Sequence, residues 1–149
     1  MNDKAITFEK REWCSVYLLV NKDLLRQGKV KIDAYFTLSN QVLRFSDSVS
    51  KNKKKKYANG IIPKNDSIPV ILIGQIGKYI AKDEVAPIKM EDILSIAEDV
   101  IVSVKEKIVC SHILVECKSQ NTKLLQKYQK NGFEVLQEID GYVQLIKKI

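Results

Sequence analysis

One tyrosine and one asparagine lie seven residues apart, and they are the side chains of this sequence best placed for chemistry. Tyr128 carries a phenol, which can donate a proton or a hydrogen bond to a developing anion. Asn121 carries an amide that suits a helix N-cap, where its oxygen accepts a backbone hydrogen bond. The competing interpretation of Tyr128 is a core residue on the apolar stripe of an amphipathic helix.

A strand, a helix and a second strand must position these two residues. Ile113–Val115 is an apolar run of strand length, and Asn121 follows it after a polar turn. The leucines after Asn121 and Tyr128 itself recur at helical spacing. Gly132 predicts the end of the helix because glycine tolerates the left-handed conformation. Phe133–Leu136 then predicts the next strand.

This unit resembles the C-terminal half of the GCN5-related N-acetyltransferase superfamily, on the residues Asn121, Tyr128, Gly132 and Phe133. The resemblance implies an α+β fold with a mostly antiparallel sheet, splayed at its central strand and flanked by helices. It implies that Asn121 contacts the pantetheine arm of acetyl-CoA. It also implies that Tyr128 protonates the departing thiolate.

The remaining elements are predicted from periodicity and turn signals. They are a helix over residues 4–13, strands over Val16–Val20, Val30–Ser39, Gln41–Phe45 and Ile68–Ile76, a turn over Asn21–Lys29, a long loop over Ser46–Ser67, another loop over Tyr79–Ala86, a helix over Met90–Lys107 and a hairpin of Val135–Ile139 with Tyr142–Ile146. This order matches the superfamily from its first strand onward, while the chain begins at what would be the second helix of its relatives.

Composition favours one cytoplasmic domain spanning residues 1–149. No apolar run approaches the roughly 20 residues of a membrane helix, and the first residues have no signal-peptide core. The three cysteines lack metal-ligand spacing, and the single histidine, His112, argues against a histidine-based metal site. We therefore expect no metal and no membrane partner.

A lysine run and two further stretches resemble the branch of bacterial toxin acetyltransferases that modify aminoacyl-tRNA. The stretches are Ala34–Ser39, the run Lys51–Lys56, and Ile71–Lys78. The resemblance implies that Lys53, Lys54, Lys55 and Lys56 hold tRNA phosphates near the central strand. A solvated loop is the competing interpretation of the run. An antitoxin partner and a homodimer are left open.

The resemblance also implies where acetyl-CoA binds. Backbone groups of Ile76, Gly77 and Lys78 would pair with pantetheine, although Gly77 can equally be a glycine that ends a strand. The start of the next helix, Ile88, Lys89 and Met90, would hold the pyrophosphate. The aligned segment Val85–Met90 lacks both glycines of the family pattern, and Pro87 offers no amide donor.

Three functions follow from these residues. The first is an N-acetyltransferase that acts by direct transfer to a primary amine, with Tyr128 as general acid and Glu116 as a candidate base. The second is a catalytically degenerate binding or regulatory protein with a poor acetyl-CoA site. The third is an RNA-binding protein in which the lysine run carries the whole function.

Overall fold

The structure is a computed structural model and describes residues 7, 9–11, 13–79, 88–105, 107 and 110–149. Its elements in chain order are β1 (Ser15–Val20), α1 (Lys22–Arg26), β2 (Ile32–Arg44), α2 (Lys51–Tyr57), β3 (Ser67–Lys78), α3 (Met90–Val104), β4 (His112–Lys118), α4 (Thr122–Lys130), β5 (Glu134–Ile139) and β6 (Tyr142–Lys148). The strands form one six-stranded sheet in the order β1-β2-β3-β4-β6-β5. The predicted mixed α+β class is confirmed.

The chain divides into two compact units, Met1–Ser39 with Ile73–Val100, and Asn40–Leu72 with Ile101–Ile149. The prediction of a single domain stays a prediction.

The first unit contains β1, most of β2, the end of β3 and most of α3. β1 pairs with β2 in antiparallel register, and the rings of Tyr17 and Phe36 stack with centroids 5.0 Å apart. Aromatic cross-strand pairs of this kind stabilise a sheet beyond the area they bury. The fully buried side chains here include Phe36, Ile73 and Ile93.

The second unit contains α2, the start of β3, β4, α4 and the β5–β6 hairpin. β4 and β5 each pair with β6 in antiparallel register. The hairpin turns through Asp140 and Gly141, both with positive φ (51° and 77°), which matches the twist of the strands. Tyr57 of α2 belongs to a buried cluster with Ile68, Leu114 and other apolar residues. The predicted hairpin of Val135–Ile139 with Tyr142–Ile146 is confirmed.

Two predicted segments were wrong. The predicted strands Val30–Ser39 and Gln41–Phe45 form one continuous strand, β2, because the single residue between them, Asn40, is too short a loop for a hairpin. The long loop Ser46–Ser67 contains α2, which Ser50 caps by accepting a hydrogen bond from the amide of Lys53 at 3.3 Å.

The other predicted boundaries differ less. The turn Asn21–Lys29 contains the short helix α1, capped by Asn21. Half of the predicted N-terminal helix, residues 4–13, and all of the predicted loop Tyr79–Ala86 except Tyr79 fall outside the described residues.

Candidate active site

Helix α4 holds Tyr128 in place through signals at both of its ends. Asn121 Oδ1 accepts a hydrogen bond from the Leu124 amide at 3.2 Å, as predicted for an N-cap. Gly132 ends the helix at φ +85°, and the Phe133 amide then donates to the Tyr128 carbonyl at 3.1 Å. This turn brings the Phe133 ring edge-on to Tyr128, with centroids 5.7 Å apart.

The Tyr128 side chain combines a buried ring with an unpaired hydroxyl. The residue is 5% exposed. Burial first, and then the neighbouring thiol of Cys117, raises the pKa of Tyr128 to about 12. Within the described part of the chain, the hydroxyl makes no hydrogen bond. Tyr128 is therefore a protonated phenol at neutral pH with a donor available to a ligand.

Glu116, the predicted base, does not share this environment. Because side chains alternate along a strand, Glu116 and Cys117 of β4 point to opposite faces of the sheet. Cys117 lies beside Tyr128. The Glu116 carboxylate accepts a hydrogen bond from Gln144 Nε2 at 2.6 Å and lines a cavity of about 390 Å³. Glu116 therefore points away from the side of β4 on which Cys117 and the Tyr128 of α4 lie.

Gln137 connects Glu116 to the end of β2, and nothing in the sequence pointed to it. Its amide nitrogen donates to Gln144 Oε1 at 2.6 Å and to the Arg44 carbonyl at 2.8 Å. Its oxygen accepts from the Ser46 amide at 2.7 Å. A register shift between Val135 and Gln137 accompanies this placement. The buried amide therefore makes three hydrogen bonds, to Arg44, Ser46 and Gln144, which local sequence cannot reveal.

Gly77 has a packing explanation. A Cβ at this position would lie 2.1 Å from Cε1 of Tyr35, so the tyrosine ring occupies the space of a side chain. The Tyr79 amide bonds the Asp33 carbonyl at 2.9 Å, which sets Gly77 opposite Tyr35 across the two strands. Ile76 and Lys78 flank it half-buried. The prediction that their backbone pairs with pantetheine stays a prediction.

The start of α3 carries negative charge where the pyrophosphate was predicted. Glu91 and Asp92 lie in the first turn, and Asp92 Oδ2 accepts from the Lys89 amide at 3.1 Å. Ile88 is half-buried, Lys89 is exposed, and the Met90 side chain is buried. Carboxylates here satisfy the helix terminus and repel a second anion. The predicted phosphate site would have to overcome that repulsion.

The lysine run forms a helix whose side chains are largely engaged. Lys53 Nζ donates to the Val135 carbonyl. Lys54 is 8% exposed and pairs with Asp66 Oδ2 at 2.8 Å. Lys56 bonds the Glu134 carboxylate at 2.7 Å, and the same carboxylate accepts from the Tyr57 hydroxyl.

Lys55 is the remaining member of the predicted phosphate-binding set, and it is exposed. Its ammonium makes no ion pair or hydrogen bond with any residue that the structure describes. Three lysines of α2 thus bind other parts of the fold, while Lys55 contributes positive charge to the surface.

The predicted site residues are divided between the units. Ile76, Gly77, Lys78, Ile88, Lys89 and Met90 belong to the first unit, and Lys53, Lys54, Lys55, Lys56, Glu116, Asn121 and Tyr128 to the second. Among the described residues, no group of three or more metal-ligating side chains is present. No helix in the described part of the chain is long and apolar enough to cross a membrane.

Comparison with known proteins gave matches in structure alone. No protein-family model and no curated protein sequence match the chain. The structure of AtaTR bound with acetyl-CoA matches with a TM-score of 0.69 and 17% identity, over 98% of this chain and 76% of that one. AtaT complexed with acetyl-methionyl-tRNAfMet matches with a TM-score of 0.68 and 18% identity, over 95% and 76%.

Two further structural matches are a GNAT-family acetyltransferase and a toxin bound to its antitoxin. A GNAT-family acetyltransferase from Listeria monocytogenes matches with a TM-score of 0.56 and 14% identity, over 90% of this chain and 64% of that one. An AtaT mutant toxin bound to acetyl-CoA and the C-terminus of the antitoxin AtaR also matches. These likenesses confirm the predicted fold, which the chain shares with GNAT-family acetyltransferases and the AtaT toxin.

Proposed function

We propose that this protein is an N-acetyltransferase that moves the acetyl group of acetyl-CoA to a primary amine. The observation that carries the proposal is Tyr128, whose ring is held by Phe133 while its protonated hydroxyl has no described partner. The shared fold supports it, since neighbours with this fold have been solved with acetyl-CoA. Acetyl-CoA would supply a thioester whose acyl group an amine can accept.

Tyr128 acts in this proposal as the acid. A phenol with a pKa of about 12 keeps its proton throughout the neutral range and can deliver it to a thiolate as that charge develops. Asn121 begins the same helix, and capping uses its oxygen, so its amide nitrogen is the group proposed to contact pantetheine. Ile76, Gly77 and Lys78 are proposed to supply backbone contacts along the cofactor.

Glu116 is the proposed base on the amine side. Its carboxylate opens on the 390 Å³ cavity and is oriented by Gln144. The amine must lose a proton before or during attack, and a carboxylate can take it directly or through water. Because Tyr128 holds its proton so strongly, it cannot take this second role at neutral pH.

The acceptor amine is proposed to belong to an aminoacyl-tRNA. An AtaT complex with an acetylated aminoacyl-tRNA has the same fold, and the net charge of +7 suits a polyanionic substrate. Lys55 is exposed, while Lys53 and Lys56 keep further ammonium donors beyond their internal bonds. These three are the proposed phosphate contacts, whereas the ion pair of the buried Lys54 with the half-exposed Asp66 gives that lysine a structural role. An antitoxin partner is proposed on the same likeness.

A degenerate, non-catalytic protein is the second candidate. The first turn of α3 favours it, because Glu91 and Asp92 place negative charge at the predicted pyrophosphate position. In that case the acetyl-CoA affinity would be lost while the fold remained.

Two measurements on the purified protein test the proposal. Calorimetric titration should give acetyl-CoA a dissociation constant in the micromolar range, roughly 1–100 µM. Acetyl transfer from labelled acetyl-CoA to aminoacyl-tRNA should fall about 100-fold or more in Tyr128→Phe, while the dissociation constant changes less than about twofold. Tyr142→Phe is the matched control, because Tyr142 is an exposed tyrosine of the same unit.

The outcomes separate the candidates. If Tyr128→Phe turns over as fast as the parent, Tyr128 is a core packing residue and not the acid. Absence of acetyl-CoA binding at millimolar concentration would favour the degenerate protein instead. Since the pKa of Tyr128 is about 12, the rate should show no decline attributable to this group below about pH 10.

A further inference from the structure

The cavity beside Glu116 combines one carboxylate with walls of aliphatic side chains. Its volume is about 390 Å³, which lies within the range of small-molecule sites. Every residue that lines it belongs to the second unit. Leu114 lies two residues before Glu116 on β4, and Gln144 of β6 pairs with Glu116, so these three side chains share one face of the sheet.

Aliphatic side chains form most of this lining. Leu43 and Leu114 are each 3% exposed and belong to one packed cluster. Leu72 is half-buried and Ile139 is 40% exposed, so these two side chains are within reach of a ligand. A ligand that fits the cavity therefore carries a short apolar body.

Glu116 supplies the charge on this face of the sheet. Arg44 also lines the cavity, but side chains alternate along β2, so Arg44 points to the face opposite that of Leu43. Leu43 packs in one cluster with Leu114, which lies on the face of Glu116. Glu116 is exposed, and among the described residues its carboxylate bonds only Gln144. The remaining acceptor positions of the carboxylate are open to a ligand.

A chain of two amides fixes the hydrogen bond that Glu116 receives. Gln137 is oriented by two backbone groups, because its nitrogen faces the Arg44 carbonyl and its oxygen faces the Ser46 amide. The second N–H of Gln137 then donates to Gln144 Oε1, which turns Gln144 Nε2 toward Glu116. Glu116 is therefore held in place as an acceptor.

A fixed acceptor beside apolar walls determines the kind of ligand. Among the described residues, no group of three or more side chains that could hold a metal ion is present. An ammonium suits a single carboxylate, since it carries one charge and donates three hydrogen bonds. The lining therefore fits a primary ammonium attached to an aliphatic body.

We propose that this cavity receives the acceptor amine and favours aminoacyl groups with an aliphatic side chain. The ammonium donates to Glu116, and the aliphatic side chain lies against Leu72 and Ile139. The identity of the amine rests on the proposed function, whereas binding in the cavity requires no acetyl transfer. Glycyl groups lack the apolar contact, and acidic side chains are repelled by Glu116.

Binding in the absence of acetyl-CoA tests this selection. Leucinamide is the probe, a stable mimic of the aminoacyl end, and about pH 6.5 keeps its α-amino group charged. In the full chain with ¹⁵N-labelled glutamine, the Gln144 side-chain signal, assigned by its loss in Gln144→Met, should shift saturably. We expect a dissociation constant of about 1 mM, an ordinary affinity for about nine heavy atoms. Glycinamide should bind about fivefold or more weakly, and N-acetyl-leucinamide, which lacks the ammonium, about threefold or more weakly.

Variants with matched controls assign the two contacts. Glu116→Gln should weaken leucinamide binding about threefold or more, whereas Glu138→Gln, which alters an exposed glutamate outside the lining, should not. Ile139→Ala should weaken leucinamide about threefold or more and glycinamide less than about twofold. Ile61→Ala, which alters an exposed isoleucine outside the lining, should leave both affinities unchanged. A melting temperature for each variant establishes that it is folded.

Acetyl transfer then separates this inference from the proposed function. With labelled acetyl-CoA, kcat/KM for leucyl-tRNA should exceed that for glycyl-tRNA about fivefold or more. Equal acetylation of both tRNAs would overturn the selection and leave the proposed function standing. Selective leucinamide binding without acetylation of any aminoacyl-tRNA would support the amine site and contradict the proposed function.

Two binding results would also overturn the inference. One is no saturable shift of the Gln144 signal up to about 50 mM leucinamide. The other is equal affinity for leucinamide and N-acetyl-leucinamide, because a ligand without an ammonium cannot pair with Glu116.

Discussion

Replacing Gly77 with alanine tests the close packing of β3 on Tyr35. The added Cβ would lie 2.1 Å from Cε1 and 2.7 Å from Cζ of the Tyr35 ring. Ordinary carbon contacts begin near 3.4 Å, so the ring would have to move by about 1.3 Å. Gly77 is not among the glycines with positive φ, so its backbone adds no strain of its own.

The expected cost follows from two opposing effects. Overpacking of this kind destabilises by about 1–3 kcal/mol. Loss of glycine freedom in the unfolded chain stabilises by about 0.4–1 kcal/mol. Gly77→Ala should therefore lower the free energy of unfolding by about 1–2 kcal/mol, measured by urea denaturation followed by circular dichroism.

A double-mutant cycle with Tyr35→Ala supplies the control. Without the ring, the added methyl has room, so Gly77→Ala in the Tyr35→Ala background should be neutral or stabilising. The coupling free energy should then be about 1–3 kcal/mol. Equal effects of Gly77→Ala in both backgrounds would refute the packing explanation and leave close approach of a ligand as the reason for this glycine.

The remaining predictions concern α2 and its partners. Lys54→Met should lower the free energy of unfolding by about 1–2 kcal/mol because it removes the bond to Asp66. Lys55→Met, which alters the exposed neighbouring lysine, should change that free energy by less than about 0.5 kcal/mol. Equal effects of the two substitutions would contradict the structural role of Lys54. The hydrogen bond from Lys56, followed by that from Tyr57, lowers the pKa of Glu134. Its stabilisation is therefore present above the ordinary carboxyl pKa and lost as pH falls through the lowered value. In urea titrations Glu134→Gln should be less stable than the parent at pH 7, and the difference should vanish once the pH lies below that lowered pKa. A difference that persists there would assign the effect to packing.

The C-terminal third was predictable because its signals are local. The Asn121 cap, the end of α4 at Gly132 and the turn at Asp140 depend on a few neighbouring residues, and each lies as the sequence indicates. Short-range patterns of this kind specify caps and turns by their own backbone geometry.

Helix α2, which contains the lysine run, shows why other parts of the structure were not predictable. Adjacent lysines repel in an isolated peptide, so the sequence favours a solvated loop. In the fold, Asp66 and Glu134 neutralise Lys54 and Lys56 from 12 and 78 residues away in sequence. The hydrogen bonds of Gln137 likewise depend on contacts between distant segments. Tertiary partners decide these features, and no local pattern records them.

Tyr128 of α4 and Glu116 of β4 have different tasks in the proposed direct transfer. Acetyl transfer to an ammonium requires one proton to leave nitrogen and another to reach sulfur, at two different atoms. A tyrosine with a pKa of about 12 can give a proton but cannot take one near pH 7. A carboxylate held by Gln144 is suited to the opposite role. Neither group can substitute for the other, and because the nitrogen and the sulfur are bonded to the same carbonyl carbon during transfer, both groups must reach one substrate in the proposed reaction.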